Sequence, residues 1–281
     1  MSDNCCKPIL STKLMDIKDL FINFRHDRKN IYVNNGGNYE KEHFHNFCEI
    51  YINISGNVQF MVENNVFDIC KGDIILIKPN IFHQCLFKSD CVHEHICIWM
   101  ESFDLSSPIK FFHEQNFNHV ISFPDNIKDE FLSLCFLFEE IKDDPNQKIK
   151  SLSVFLNIIS IIEAHISTSV KKEISLPQIV LDSLNYINEN FKSISTIQEV
   201  TDKFFISQST LERNYKKHLN ISPKRYLILR KLLHSKQLLE QGCSVTKACF
   251  DSGFNDCSYF TYVFKKHFNT TPKKAKSQTL L

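Results

Sequence analysis

Lys216-Lys217-His218-Leu219-Asn220-Ile221-Ser222-Pro223-Lys224 returns 49 residues later as Lys265-Lys266-His267-Phe268-Asn269-Thr270-Thr271-Pro272-Lys273. A recurrence of this kind is the mark of one structural unit used twice. In each copy a run of helical periodicity precedes the double lysine, opened by Ser207 in the first and Asp256 in the second, both residue types that cap helix N-termini. Each helix therefore ends in a basic turn, which suits a phosphate backbone.

Working outward, the periodicity predicts helices over 178–190, 196–204, 208–218, 223–241, 245–251 and 258–267, with a short one after Pro272. Pro223 and Pro272 fall at first-turn positions, where a missing N–H costs nothing. In each copy a short helix, a tight turn and a second helix follow one another, the helix-turn-helix arrangement whose second helix enters the major groove. Gly253 marks the second turn, where a positive φ is expected.

The charge divides along the same line. From Gln178 onward the chain carries 13 Lys and 3 Arg against 8 acidic residues, net +8, and the remainder carries 17 basic and 24 acidic residues, net −7. A near-neutral total of +1 thus hides a basic half and an acidic half. Eleven cysteines without a CxxC pair fit free thiols in a reducing cytosol. The longest apolar stretch, 154–162, is broken by Asn157 and Ser160, so neither a signal peptide nor a membrane span is expected.

Residues 178–277 resemble the AraC/XylS family of transcriptional regulators. The resemblance rests on Ser207, Leu211, Arg213, Tyr215, Lys216 and Lys217, then Ser222-Pro223, Tyr226, Arg230 and Leu238-Leu239. It continues through Gly253-Phe254, Asp256, Ser258-Tyr259-Phe260, Phe264-Lys265-Lys266 and Pro272. It implies an all-α double helix-turn-helix domain that binds promoter DNA. The positions it implies for DNA contact are Gln208, Ser209, Glu212, Arg213, Lys216 and Lys217 in the first copy, and Cys257, Ser258, Thr261, Tyr262, Lys265 and Lys266 in the second. Arg213 is either a base reader, bonding guanine O6 and N7 together for about 1–3 kcal/mol of discrimination, or a phosphate clamp. Leu211, Tyr215, Phe254, Phe260 and Phe264 follow the buried period and are expected in the core. The chain departs from the family pattern at Phe205, where a small residue or glycine is usual, at Cys249, often Ala, and at Tyr262, often Arg; a distorted first turn is expected at Phe205.

The first half reads differently. Short strands over 49–54, 58–62, 74–77 and 92–100, separated by Gly, Asn and Pro turn signals, indicate a sandwich or barrel. Gly37, His43, His45, Glu49 and Gly56 reproduce the first cupin motif, and Gly72-Asp73, Pro79 and His83 a looser second one. The fold expected is an all-β cupin barrel. Three imidazoles and a carboxylate, His43, His45, Glu49 and His83, could ligate a divalent metal such as Fe, Mn, Ni or Zn. Alternatively they line an effector pocket with His93, His95 and Trp99, and Phe60, Phe82 and Phe87 as apolar walls. A sugar or another small metabolite would suit such a lining, an aromatic acid or a fatty acid as well as a sugar.

Two helical stretches follow, one with Ile127, Phe131, Leu134, Cys135, Phe138 and Ile141 on a face and one with Leu152, Phe155, Leu156, Ile159, Ile162 and Ile166. These faces either pack on the barrel or form a dimer interface. The organisation expected is a tail over 1–24, a cupin-like barrel over 25–104, a helical segment over 105–170, a linker over 171–177 and the DNA-binding domain over 178–281. The function expected is a cytoplasmic, homodimeric regulator, not an enzyme, that binds promoter DNA and a small effector and activates through RNA polymerase. The alternative is a metal-dependent cupin enzyme or metal sensor with a DNA-binding tail.

Overall fold

The structure, a computed structural model, describes residues 20–33, 43–45, 47–56, 58–102, 119–166 and 174–278. The chain forms two compact units, Met1–Ile174 and Ser175–Leu281.

Among the described residues the first unit holds eight strands: β1 (Leu20–Ile31), β2 (Cys48–Ser55), β3 (Val58–Val62), β4 (Asn65–Ile69), β5 (Ile74–Ile77), β6 (His83–Phe87), β7 (Cys91–Ser102) and β8 (Val120–Ile121). They make a five-stranded antiparallel sheet in the order β1-β7-β2-β5-β8 and a three-stranded sheet in the order β4-β3-β6. Among the described residues no strand ladder joins the two, so the expected closed barrel is here a pair of packed sheets. Their facing sides share one apolar cluster that includes Tyr51, Ile75 and Cys97 of the larger sheet and Val58, Phe60 and Cys85 of the smaller.

Alternation along β2 assigns its two faces. Ile50, Ile52 and Ile54 join the cluster beneath the helices, whereas Glu49, Tyr51 and Asn53 point between the sheets. Helices α1 (Asp125–Ile141) and α2 (Lys148–His165) lie on the outer face. There Phe24 meets Phe138 edge-on at 5.5 Å and Phe138 meets Phe155 at 5.8 Å. Of the two readings for the apolar helix faces, packing on the sheet is the one this structure realises. Fully burying Phe138 and Phe155 contributes about 1.5–3 kcal/mol each, and Phe24 is partly buried against them. On the edge strand β4, the Val66 carbonyl accepts the Ile174 N–H at 2.7 Å, so the last residue of the first unit extends that sheet.

The second unit contains α3 (Gln178–Asn190), α4 (Ile197–Lys203), α5 (Gln208–Leu219), α6 (Pro223–Glu240), α7 (Val245–Asp251), α8 (Cys257–Phe268) and α9 (Pro272–Gln278). The repeat is reproduced at its ends. Ser207 Oγ accepts from the Thr210 N–H, and an Asp256 oxygen accepts from the Ser258 and Tyr259 N–H groups. Asn220 and Asn269, equivalent residues of the repeat, close α5 and α8 in the left-handed region at φ 53° and 55°. Leu211, Tyr215, Phe254, Phe260 and Phe264 are buried, as their spacing predicts.

Candidate DNA interface and buried histidine cluster

Helix α5 buries Leu211, Tyr215 and Leu219 and turns its other face outward. Gln208, Ser209, Glu212, Arg213, Lys216 and Lys217 are all exposed there. Helix α8 buries Phe260 and Phe264 and exposes Ser258, Tyr262, Lys265 and Lys266, with Cys257 and Thr261 half-buried. Two local contacts organise these faces: Gln208 Nε2 donates to Glu212 Oε1 at 2.9 Å, and Lys266 Nζ lies 5.9 Å from the centre of the Tyr262 ring. Basic side chains in the last turn of each helix also favour the negative end of its dipole.

The turn before α5 is formed rather than distorted. Phe205 occupies the left-handed region at φ 52° and is 96% exposed, two residues past the end of α4. Gly253 holds the equivalent place two residues past α7, at φ 80°. Adding a Cβ at Gly253 would bring it 2.3 Å from the Lys192 carbonyl oxygen, so the second turn sits directly on the loop between α3 and α4. Lys231, in the connecting helix α6, ties the same two places together. Its Nζ donates to the carbonyls of Ile194 and Gly253, both at 2.7 Å, and lies 6.0 Å from the centre of the Phe254 ring. Burial pushes this ammonium below its ordinary pKa, partly opposed by Glu199. Sequence reading missed Lys231, because an isolated lysine in a helix carries no signal that it is only 6% exposed.

In the first unit the structure brings His43, His45, Glu49 and His83 together, with one ligand atom from each lying within 4.8 Å of the others. His43 and His83 form an isolated antiparallel bridge, His43 N–H donating to His83 O at 3.2 Å and His83 N–H to His43 O at 3.1 Å. His45 Nε2 lies 2.7 Å and His83 Nε2 3.5 Å from the same atom, Glu49 Oε2. The other ring nitrogens face backbone carbonyls, His45 Nδ1 at 2.9 Å from Phe47 O and His83 Nδ1 at 2.9 Å from Ile81 O. Burial lowers the pKa of His45, opposed by its bond to Glu49. Burial alone would raise the Glu49 carboxyl, but the His45 and His83 rings hold it well below the ordinary carboxylate range.

His93 and His95 stand farther along β7, their rings stacked 4.7 Å apart. Tyr51 Oη lies 2.8 Å from His93 Nε2, and His95 Nε2 is 3.9 Å from Asp27 Oδ2. These two histidines thus belong to a group around Tyr51, while Trp99, paired across the ladder with Glu49, lies nearer the His43 cluster and 5.6 Å from the Phe47 ring. Of the expected walls, Phe60 and Phe87 belong to the cluster between the sheets. The same face carries buried polar atoms that have no hydrogen-bond partner among the described residues: Asn23 Nδ2, Asn53 Oδ1 and Trp99 Nε1. Asn23, Tyr51 and Asn53 were not foreseen, since the pattern alone does not say which face of a strand looks inward.

Residues 200–278 match a helix-turn-helix domain family, and residues 34–94 match the AraC-like ligand-binding domain family. The chain is similar to the HTH-type transcriptional activator RhaS of Pectobacterium atrosepticum, at 25% identity over 249 residues, covering 84% of this chain and 88% of that protein. RhaS of Yersinia pestis is 31% identical over 96 residues, covering 34% of this chain and 35% of its own. Among solved structures, an apo ToxT variant from Vibrio cholerae aligns with 92% of this chain and 97% of its own at 13% identity, with a TM-score of 0.37. An AraC-like ligand-binding domain over residues 34–94, a helix-turn-helix domain over residues 200–278 and transcriptional activators as relatives together support an AraC/XylS-type DNA-binding transcriptional regulator.

Proposed function

We propose that this regulator binds a polar small metabolite, of the sugar class, between the two sheets of its first unit, and two successive major-groove segments of promoter DNA through α5 and α8. The observation that carries the effector reading is the set of unsatisfied buried polar atoms on one face, Asn23 Nδ2, Asn53 Oδ1 and Trp99 Nε1. Each such group costs about 1–3 kcal/mol when unmet, and a hydroxylated ligand would satisfy donors and acceptor alike. Tyr51, Phe60 and Phe47 add the aromatic faces on which such a ligand packs.

In the DNA-binding unit, the exposed residues of α5 and α8 named above are the proposed contacts, with Arg213 reading a base and the paired lysines holding phosphates. The connector α6 has 18 residues, about 27 Å at 1.5 Å per residue, against about 34 Å for a turn of duplex. That length suits two recognition helices acting on one side of the DNA.

The proposal extends to a cytoplasmic homodimer, the pairing drawing on the apolar residues Phe136, Ile149 and Leu156 left exposed on α1 and α2. It extends also to activation through RNA polymerase, by analogy with the RhaS activators. The relatives are regulators, which supports a binding rather than a catalytic use of the first unit. The test is a thermal-shift screen of the full chain against sugars, sugar acids and apolar acids. A stabilising sugar whose effect is lost in Trp99→Phe and Asn23→Leu is the expected result. Stabilisation by apolar acids alone, or by a sugar equally in both variants, would overturn the effector reading.

A further inference from the structure

Two free cysteines stand on either side of the second helix-turn-helix turn. Cys249, in the last turn of α7, is fully buried, and Cys257, the first residue of α8, is half-buried. Their thiols are hydrogen-bonded to one another. The equivalent places of the first motif, the fifth residue of α4 and the first of α5, hold Thr201 and Gln208. The paired thiols therefore belong to the second copy alone.

The two sulfurs differ in access. Burial, followed by the hydrogen bond to Cys257 and the charges of Cys257 and Asp256, pushes the Cys249 thiol up to about 12. Cys249 Sγ also lies 4.0 Å from the Phe254 carbonyl oxygen, whereas Cys257 is open to solvent on one side. A small oxidant thus meets Cys257 first, with Cys249 already in place behind it. The segment between them is pinned. Phe254 N–H donates to Cys249 O at 3.1 Å, the Phe254 and Phe260 rings meet at 5.1 Å, and Gly253 has no room for a Cβ against Lys192 O.

We infer that Cys249 and Cys257 form a reversible disulfide when the protein meets a hydroperoxide, and that this bond displaces the first turn of α8. Cys257 sulfur attacks one peroxide oxygen and the O–O bond breaks; the thiol proton leaves with the other oxygen as water, and a sulfenic acid remains. Cys249 sulfur then attacks Cys257 sulfur, the S–O bond breaks, and the hydroxyl departs as a second water with the Cys249 proton. Two electrons pass from the sulfurs to the peroxide. A disulfide is about 2 Å long, well short of a hydrogen-bonded contact between two thiols, so the sulfurs must close up. With Cys249 buried and the turn pinned, Cys257 is the residue that moves, and it carries Ser258, Thr261 and Tyr262 with it. The bond itself needs no DNA; its effect on binding rests on the proposed use of α8 as a reading helix.

The test uses the full-length protein, reduced with dithiothreitol, treated with hydrogen peroxide, alkylated and digested with chymotrypsin, which cuts after Phe250 and Phe254 between the two cysteines. Mass spectrometry without reduction should find the two peptides joined in the wild type, released by dithiothreitol, and never joined in Cys257→Ser. Peroxide should also weaken, about tenfold, the binding of a duplex enriched from a random pool by the reduced protein, as expected for loss of a base contact. Cys249→Ala, which introduces the residue frequent at this place in the family, should bind that duplex with or without peroxide. Unlinked Cys249 and Cys257 in the peroxide-treated wild type would overturn the disulfide; a linked pair with unchanged binding, or equal weakening in Cys249→Ala, would overturn the switch. If the reduced protein enriches no duplex, the reading of α8 fails instead, and the peptide map still decides the disulfide.

Discussion

Replacing Lys231 by Met removes the tie between the two helix-turn-helix motifs while keeping the length and most of the volume of the side chain. Two ammonium bonds, to Ile194 O and Gly253 O at 2.7 Å each, are lost. Charge-assisted bonds contribute about 1.5–3 kcal/mol apiece, and the two carbonyls they leave are stranded in the interior. Against this, the substitution relieves the desolvation of a buried cation, which costs several kcal/mol. The net expected loss is about 2–4 kcal/mol, read by urea unfolding followed through circular dichroism at 222 nm, which reports the helices, most of them in the second unit. The pH dependence carries a sign. Burial lowers the Lys231 pKa below 10.5 in the folded state, so over the window from that lowered value up to 10.5 the unfolded chain binds more protons and wild-type stability rises with pH relative to Lys231→Met. A change under about 0.5 kcal/mol, the range of ordinary surface substitutions, would refute the role given to this lysine.

Gly253→Ala combines a positive φ with a Cβ 2.3 Å from a backbone oxygen; a loss of about 3 kcal/mol is expected in the same assay, and a neutral outcome would show that the second turn does not rest on the Lys192 loop. Phe205→Gly should do the opposite, stabilising by about 1 kcal/mol, because glycine relieves a left-handed residue whose side chain is 96% exposed. Arg213→Ala should relax specificity at one base pair, whereas Lys217→Ala should weaken binding to all duplexes and lower the salt slope by about one. Equal losses on cognate and random DNA in both variants would remove α5 from its role as a reader of sequence.

The helical half was legible because its signals are local. The caps Ser207, Ser222 and Asp256, the prolines at first turns and the period of Leu211, Tyr215, Phe260 and Phe264 each act within one helix. What they could not show is contact between distant pieces, such as Lys231 reaching Ile194 and Gly253. In the first half, β2 and β5 were readable from their runs of Ile and Leu. Strand β1 was not, because it is an edge strand in which the polar His26 and Arg28 follow Ile22 and Phe24 on one face, while Arg25, Asp27 and Lys29 occupy the other. Strand β6 was hidden by His83 and Gln84, polar residues that are nevertheless buried. His43, His45, Glu49 and His83 could be grouped from their spacing. Their geometry came from elsewhere: His43 reaches the group through a backbone bridge to β6 rather than from a regular strand. The turn signal at Gly36-Gly37 falls outside the described residues.

Selection of bound duplexes from a random-sequence DNA pool tests the central claim most directly. A regulator with two recognition helices on one connector predicts a single enriched motif of two blocks, their centres about one helical turn apart, with one block lost in a variant carrying Ser258→Ala and Tyr262→Ala in α8. Retention of duplexes without any shared motif would contradict it.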